Sequence, residues 1–147
     1  MSYIIDLFAG CGGLSLGFHQ QGFHSRAFVE WDKACINTLR ANFSGNLSNS
    51  TTPMFYNCDI RNFTEYLDDT KSSLTDLSKD EIGITGVVGG PPCQAFSLAG
   101  RVRDPNGMKD DYRNYLFEAY CEVLKTIKPK FFVFENVVGM LSSKPNG

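Results

Sequence analysis

Residues 3–13 read Tyr-Ile-Ile-Asp-Leu-Phe-Ala-Gly-Cys-Gly-Gly, an apolar run that ends in a glycine-rich turn. A short apolar run bounded by glycines is typical of a buried strand. The residues that follow, 13–21, predict a short helix that Gly22 closes. A strand that leads through a glycine turn into a helix indicates an α/β fold.

Strands and helices continue to alternate along the chain. Further strands are predicted over 25–30, 54–58, 82–88 and 131–134, and helices over 33–43, 61–80 (as one or two short helices) and 111–127. Asp32 is expected to cap the helix over 33–43. Five strands with intervening helices favour a parallel, doubly wound sheet.

The composition limits the class of protein. A chain of 147 residues is expected to form one domain with a real core. Its formal net charge of −2 argues against a binder of bulk polyanions. No apolar run approaches the roughly 20 residues that a membrane span needs, and the first residues lack a signal peptide, so we expect a cytoplasmic protein with no membrane partner. Five cysteines without a Cys-x-x-Cys spacing predict neither a disulfide framework nor a metal site.

The residues suited to chemistry follow the predicted strands. In open α/β sheets, ligands bind at the carboxyl ends of the strands. The polar and glycine-rich segments at those ends are Phe8–Gly13, Glu30–Asp32, Asp59, Cys93 and Glu135–Asn136. We therefore predict a single site along one edge of the sheet.

The first turn suggests a nucleoside cofactor. Gly10 and Gly12 match a dinucleotide fingerprint, whereas Ser15 stands at the third glycine position. Glu30 lies twenty residues after Gly10, which suits a carboxylate that binds ribose hydroxyls. Trp31 could stack on an adenine, and a core aromatic is the alternative. A cofactor without a pyrophosphate, such as S-adenosylmethionine, fits this turn better than NAD does.

Cys93 and Glu135 are the candidate reactive groups. Cys93 follows the rigid pair Pro91-Pro92 after the fourth strand, and a thiolate fixed at a strand end can act as a nucleophile. An ordinary loop cysteine is the alternative. Glu135 follows an apolar strand, where a carboxyl group can act as a proton donor. A solvated strand-end glutamate is the alternative.

Taken together, these segments resemble the DNA cytosine-5 methyltransferase family. The matching segments are Asp6–Gly13, Glu30–Asp32, Asn57–Ile60, Gly90–Ser97, Arg113–Phe117 and Glu135–Val137. The resemblance implies the Rossmann-like, doubly wound, mostly parallel sheet of S-adenosylmethionine-dependent methyltransferases. It also implies that residues 1–147 form the N-terminal part of the catalytic domain.

The resemblance implies transfer of a methyl group from S-adenosylmethionine to carbon 5 of cytosine in duplex DNA. Cys93 would add to carbon 6 of a flipped-out base, and Glu135 would bind the ring nitrogen. The implied cofactor-binding residues are Phe8, Ala9, Gly10, Gly12, Gly13, Leu14, Glu30, Trp31, Asp59, Ile60, Pro91 and Leu116. The implied DNA contacts are Gln94, Ser97, Arg101 and Arg103.

One departure from the family pattern concerns the C-terminal side. The family continues with further strands, a target-recognition region and a last cofactor motif, whereas this sequence ends at Gly147. We therefore expect an incomplete sheet without a target-recognition region, and weak or no methylation by the isolated chain. A complementing C-terminal polypeptide is a candidate partner. The alternatives are a non-catalytic or partner-dependent subunit of a split methyltransferase, and a tRNA cytosine methyltransferase.

Overall fold

The computed structural model describes residues 1–45, 52–68, 83–92 and 115–138. Within these ranges, five strands alternate with four helices. The elements are β1 (Ser2–Leu7), α1 (Gly13–Gln20), β2 (Phe23–Glu30), α2 (Lys33–Phe43), β3 (Met54–Asn57), α3 (Ile60–Asp68), β4 (Ile84–Gly89), α4 (Leu116–Ile127) and β5 (Phe131–Phe134). None of these helices is long and apolar enough to cross a membrane.

The predicted elements are confirmed wherever the chain is described. The strands agree with the prediction to within two residues at each end, and the helix over 33–43 agrees at both ends. Asp32 caps that helix as expected, because its Oδ1 accepts hydrogen bonds from Ala34 N (2.7 Å) and Cys35 N (3.0 Å). The predictions for 69–80 and 111–114 lie outside the described residues.

The five strands form one parallel sheet in the order β3-β2-β1-β4-β5. The chain runs outward from β1 to β3 and then crosses to the other side of β1 to begin β4. A reversal of this kind leaves a crevice at the carboxyl ends of the two central strands. The doubly wound parallel sheet predicted from the sequence is confirmed.

Helices cover both faces of the sheet, which explains why its central strands are apolar almost throughout. Ile5 and Leu7 belong to a cluster with residues of α3 and α4, including Phe63 and Tyr120. Phe28 belongs to a second cluster with three residues of α2, namely Ile36, Leu39 and Phe43. The two clusters fix the sheet between its helices, and the predicted site residues follow the carboxyl ends of its strands.

Tyr120 ties α4 to the two strands that precede the candidate reactive residues. Its hydroxyl group donates a hydrogen bond that two carbonyl oxygens share, Val87 O at 3.1 Å and Val133 O at 3.0 Å. Burial raises the pKa of Tyr120, so that the hydroxyl stays protonated and able to donate. This contact holds the carboxyl ends of β4 and β5 together.

Candidate active site

The turn after β1 adopts a conformation that few residues tolerate. Phe8, Gly10 and Gly12 have φ angles of 57°, 53° and 89°, in the left-handed region. For Phe8, which carries a side chain, this conformation costs about 1–2 kcal/mol. The turn is held by hydrogen bonds from Gly12 N to Ala9 O (2.9 Å) and from Ala9 N to Val29 O (3.2 Å). The backbone at the end of β1 is therefore fixed against β2.

Glu30 joins the ends of β1 and β2 through its side chain. Its Oε2 accepts a hydrogen bond from Gly10 N, and its Oε1 accepts one from Asp32 N, both at 2.8 Å. The residue is only 8% exposed. A carboxylate has about four acceptor positions, so each oxygen keeps capacity for one further donor. The ribose contact expected of Glu30 stays a prediction.

Trp31 projects from the edge of the sheet. Its side chain is 70% exposed, so the alternative that it is a core aromatic is wrong. Its backbone is held in place by Asn57, whose Nδ2 donates to Trp31 O (2.8 Å) and Glu30 O (3.1 Å). The result is an anchored backbone with an open aromatic face. Sequence reasoning gave Asn57 no role of its own.

Asp59 follows β3 and forms an ion pair with Arg61. Its carboxylate accepts hydrogen bonds from the side chain of Arg61 at 2.9 and 2.8 Å, and one from Arg61 N at 2.9 Å. These hydrogen bonds hold the pKa of Asp59 below its usual value. Asp59 is therefore a fixed negative charge at the same edge as Glu30.

Three of the predicted pocket residues meet in one apolar cluster. Ile60 and Leu116 are buried within it, and Phe8 packs against it, although they come from α3, α4 and the first turn. The start of α4 and the first turn therefore border the same apolar cluster. This cluster supplies apolar contacts near the edge of the sheet where Glu30 makes its hydrogen bonds.

The carboxyl ends of β4 and β5 bring Glu135 next to the segment that precedes Cys93. Glu135 N donates to Gly89 O at 3.0 Å. A Cβ atom on Gly90 would lie 2.7 Å from Oε2 of Glu135. Asn136 Nδ2 also donates to Pro91 O, at 3.4 Å. Cys93, Gln94, Ser97, Arg101 and Arg103 lie outside the described residues.

The sequence suggested apolar surroundings for Glu135, and this expectation is wrong for the described part of the chain. Glu135 is exposed. The reason is the position of β5 at the edge of the sheet, where only β4 pairs with it among the described strands. An apolar run in a sequence does not distinguish an edge strand from a central one.

A buried polar chain behind the turn was not predicted. Ser15 Oγ donates to Asp6 Oδ2 at 2.6 Å, and Ser25 Oγ donates to Ser15 Oγ at 3.1 Å. His19 Nε2 accepts from Ser25 N at 3.0 Å, so the ring carries its proton on Nδ1 when neutral. Burial and then the nearby charge of His24 lower the pKa of His19. The signal in the sequence was an aspartate within an otherwise apolar strand.

Asp6 is the most strongly perturbed acid among the described residues. It is 1% exposed. Burial raises its pKa to about 7, against the opposing effect of the hydrogen bonds from Ser15, and the charge of Glu30 raises it further. Asp6 joins β1 to the first turn of α1 on either side of the glycine turn. Its role is to position that turn.

Comparison with known proteins gives a consistent family. The model of the C-5 cytosine-specific DNA methylase family matches residues 2–146. The Type II methyltransferase M.NgoPII of Neisseria gonorrhoeae is 42% identical over 144 residues, which cover 98% of this chain and 36% of that protein. The chain thus spans about a third of this relative's length.

Solved structures agree with this result. A DNA modification methyltransferase encoded within an E. coli prophage matches with a TM-score of 0.69 at 32% identity, over 96% of this chain and 33% of that one. A mutant of DNMT2 from Spodoptera frugiperda matches with a TM-score of 0.62, over 99% of this chain and 38% of that one. At 21% identity, the second likeness shows the fold alone.

Proposed function

Because the chain belongs to the C-5 cytosine-specific DNA methylase family, we propose that it forms the N-terminal part of an enzyme that methylates carbon 5 of cytosine in duplex DNA. The family's methyl donor is S-adenosylmethionine, and similar proteins are Type II methyltransferases. Since the chain spans about a third of the length of such a relative, the activity is proposed for the complete assembly. We place that assembly in the bacterial cytoplasm.

One observation carries the proposal. Pairing of β4 with β5 sets Glu135 beside Gly90, and Asn136 beside Pro91. Two residues after Pro91 comes Cys93. A carboxyl group just after one strand, and a thiol four residues in sequence after the adjacent strand, suit an attack on a ring that is held between them.

The proposed roles of the two groups follow from their chemistry. The Cys93 thiolate adds to carbon 6 of a cytosine flipped out of the duplex. Glu135 hydrogen-bonds the ring nitrogen and neutralises the charge that develops there. Carbon 5 thereby becomes nucleophilic and takes the methyl group. After carbon 5 loses its proton, the thiolate leaves and the ring is restored.

The edge of the sheet fits a nucleoside cofactor. A nucleoside offers an aromatic face and vicinal hydroxyl groups, and the site offers an exposed indole beside a carboxylate with unused acceptor positions. We propose Trp31 for the adenine and Glu30 for the ribose. The other residues proposed for this pocket are Phe8, Ala9, Gly10, Gly12, Gly13, Leu14, Asp59, Ile60, Pro91 and Leu116. S-adenosylmethionine supplies an electrophilic methyl group when bound.

The DNA contacts are proposed on sequence alone. Gln94, Ser97, Arg101 and Arg103 follow Cys93 in the chain. Their polar and cationic side chains suit the phosphates next to a flipped base.

We propose that the outer edge of β5 receives a C-terminal polypeptide, whether covalently continuous or separate. Phe132 and Val133 in β5 are 58% and 36% exposed, and Val138 just after it is 82% exposed. No described strand pairs with this edge. An exposed apolar edge is a template for strand addition, so a complementing polypeptide has a specific place to bind.

Covalent trapping tests the proposed chemistry. The chain would be combined with the C-terminal two thirds of M.NgoPII, S-adenosylmethionine and a duplex carrying 5-fluorocytosine. Fluorine at carbon 5 cannot leave as a proton does, so the adduct should persist. We expect an adduct that is lost in Cys93→Ser and kept in Cys121→Ser, and little adduct from the isolated chain.

Two outcomes would contradict the proposal. Absence of an adduct in the complemented assembly, with S-adenosylmethionine still bound, would favour a non-catalytic subunit. Trapping on a fluorinated tRNA but not on the DNA duplex would assign the substrate to RNA.

A further inference from the structure

Two cysteines from different elements meet beside the glycine turn. The Sγ atoms of Cys11 and Cys35 are 3.9 Å apart, at hydrogen-bonding distance for sulfur. Cys11 lies in the turn before α1, whereas Cys35 lies in the first turn of α2. Cys11 is exposed and Cys35 is partly buried. The pair therefore bridges two segments that are 24 residues apart in sequence.

Glu30 bridges the same two segments. Its carboxylate accepts from Gly10 N, next to Cys11, and from Asp32 N, in the residue that caps α2. Asp32 in turn accepts from Cys35 N at 3.0 Å. The cysteine pair and Glu30 thus link the same two segments, the glycine turn and the start of α2.

The two thiols differ in reactivity. Burial, the contact with Cys11 and the charges of Asp32 and Glu30 raise the pKa of Cys35 to about 11, so this thiol stays protonated at neutral pH. Cys11 is open to solvent and lines a cavity of about 430 Å³ between α1 and α2, together with Leu16 and other residues of those helices. A small reagent therefore reaches Cys11 first.

We propose that Cys11 and Cys35 are a modification site for small-molecule disulfides, which close the pair into a disulfide bond. The Cys11 thiolate attacks the reagent and displaces one thiolate, which takes up a proton. Cys35 then loses its proton to solvent and attacks the Cys11 sulfur, displacing the second thiolate. Two protein thiols are oxidised, and one small disulfide is reduced to two thiols.

The disulfide bond between Cys11 and Cys35 changes the glycine turn at which the cofactor is proposed to bind. This consequence rests on the proposed function. Closure shortens the sulfur–sulfur distance from 3.9 Å to about 2 Å. The movement falls on the segment around Gly10, because Cys35 is held within a capped helix. We expect the affinity for S-adenosylmethionine to fall about tenfold in the oxidised protein.

The test uses the 147-residue chain carrying Cys58→Ser, Cys93→Ser and Cys121→Ser, which leaves only Cys11 and Cys35. After treatment with oxidised glutathione, intact mass should show the loss of two hydrogen atoms and no retained glutathione. Adding Cys35→Ser should instead leave one glutathione attached. A stable glutathione adduct on the triple variant, which retains both Cys11 and Cys35, would overturn the proposal.

Calorimetric titration with S-adenosylmethionine, before and after oxidation, tests the consequence. Equal affinities with a fully formed disulfide would refute the effect on the cofactor and leave the modification site intact. Absence of cofactor binding by the reduced chain, both alone and with the C-terminal portion of M.NgoPII, would count against the proposed function. Dithiothreitol should restore the reduced mass and affinity together, which distinguishes the disulfide from irreversible damage.

Discussion

The amide of Gly10 donates a 2.8 Å hydrogen bond to Oε2 of Glu30, which lies 20 residues further along the chain. The carboxyl ends of β1 and β2 are thus joined by a side chain at the point where the ladder of the sheet has ended. Oε1 of the same carboxylate serves Asp32 N. A single residue therefore sets the position of the glycine turn relative to the start of α2.

Glu30→Gln tests this role. An amide has one oxygen, so one of the two backbone N–H groups would face the NH₂ group and lose its acceptor. We expect the free energy of unfolding, measured by urea denaturation, to fall by about 1–3 kcal/mol. The exposed Glu65→Gln is the matched control and should change stability by less than about 0.5 kcal/mol. Equal stabilities of the two variants would show that the Glu30 contacts contribute nothing.

Asp6 makes stability depend on pH. Its pKa is about 7 in the folded protein against an ordinary value of 3.8. Between these values the folded form binds a proton that the unfolded form lacks, so its contribution to stability is complete below pH 3.8 and is lost as the pH rises through 7. We expect this loss to lower the free energy of unfolding by on the order of 4 kcal/mol across that pH range.

The variant Asp6→Asn isolates that effect. Asparagine does not titrate, so urea denaturation at a series of pH values should give a flatter profile than the natural chain between about pH 5 and 8. The comparison is between the slopes of unfolding free energy against pH, so a difference in absolute stability between the variant and the natural chain does not affect it. Glu65→Gln should keep the natural slope. An unchanged slope in Asp6→Asn would mean that Asp6 ionises normally in the folded protein.

Gly12→Ala should destabilise the fold strongly. A Cβ atom there would lie 2.5 Å from Phe43 Cε2 and 2.8 Å from Leu39 Cδ2, and φ is +89°. Both the overlap and the left-handed conformation oppose a side chain, so we expect a loss of roughly 2 kcal/mol or more in thermal or urea denaturation. Gly17→Ala, within α1 and free of such contacts, should instead stabilise by about 0.5–1 kcal/mol. A similar effect of both substitutions would contradict the packing of the turn on α2.

The positions of the strands could be predicted from the sequence, because each apolar run ends at a glycine or a polar residue. The contacts between elements could not. In the sequence, Ser15 is notable only because it replaces the third glycine of the dinucleotide fingerprint. In the structure, its hydroxyl group donates a hydrogen bond to the buried carboxyl group of Asp6. Asn57 holds the backbone of Glu30 and Trp31 only because β3 pairs with β2 in a register that sets Asn57 opposite Glu30. Register and partner choice are tertiary properties that local patterns do not encode.

Gly90→Ala tests the link between Glu135 and the segment before Cys93. The added methyl group would meet Oε2 of Glu135 at 2.7 Å, and an exposed, flexible carboxylate can swing away at little cost in stability. We expect an unfolding free energy within about 0.5 kcal/mol of the natural chain. Trapping on 5-fluorocytosine DNA in the complemented assembly should nevertheless slow by about tenfold or more, because the carboxylate has left its position.

The neighbouring glycine supplies the contrast. A Cβ atom on Gly89 would overlap the backbone oxygen of Leu7 in β1, which cannot move without opening the sheet, so Gly89→Ala should lower stability and trapping together. Gly83→Ala meets no atom within 4 Å and should leave both unchanged. Full trapping by Gly90→Ala would show that the position of Glu135 beside Gly90 has no part in the chemistry. A loss of trapping that merely follows a loss of stability would assign Gly90 a structural role alone.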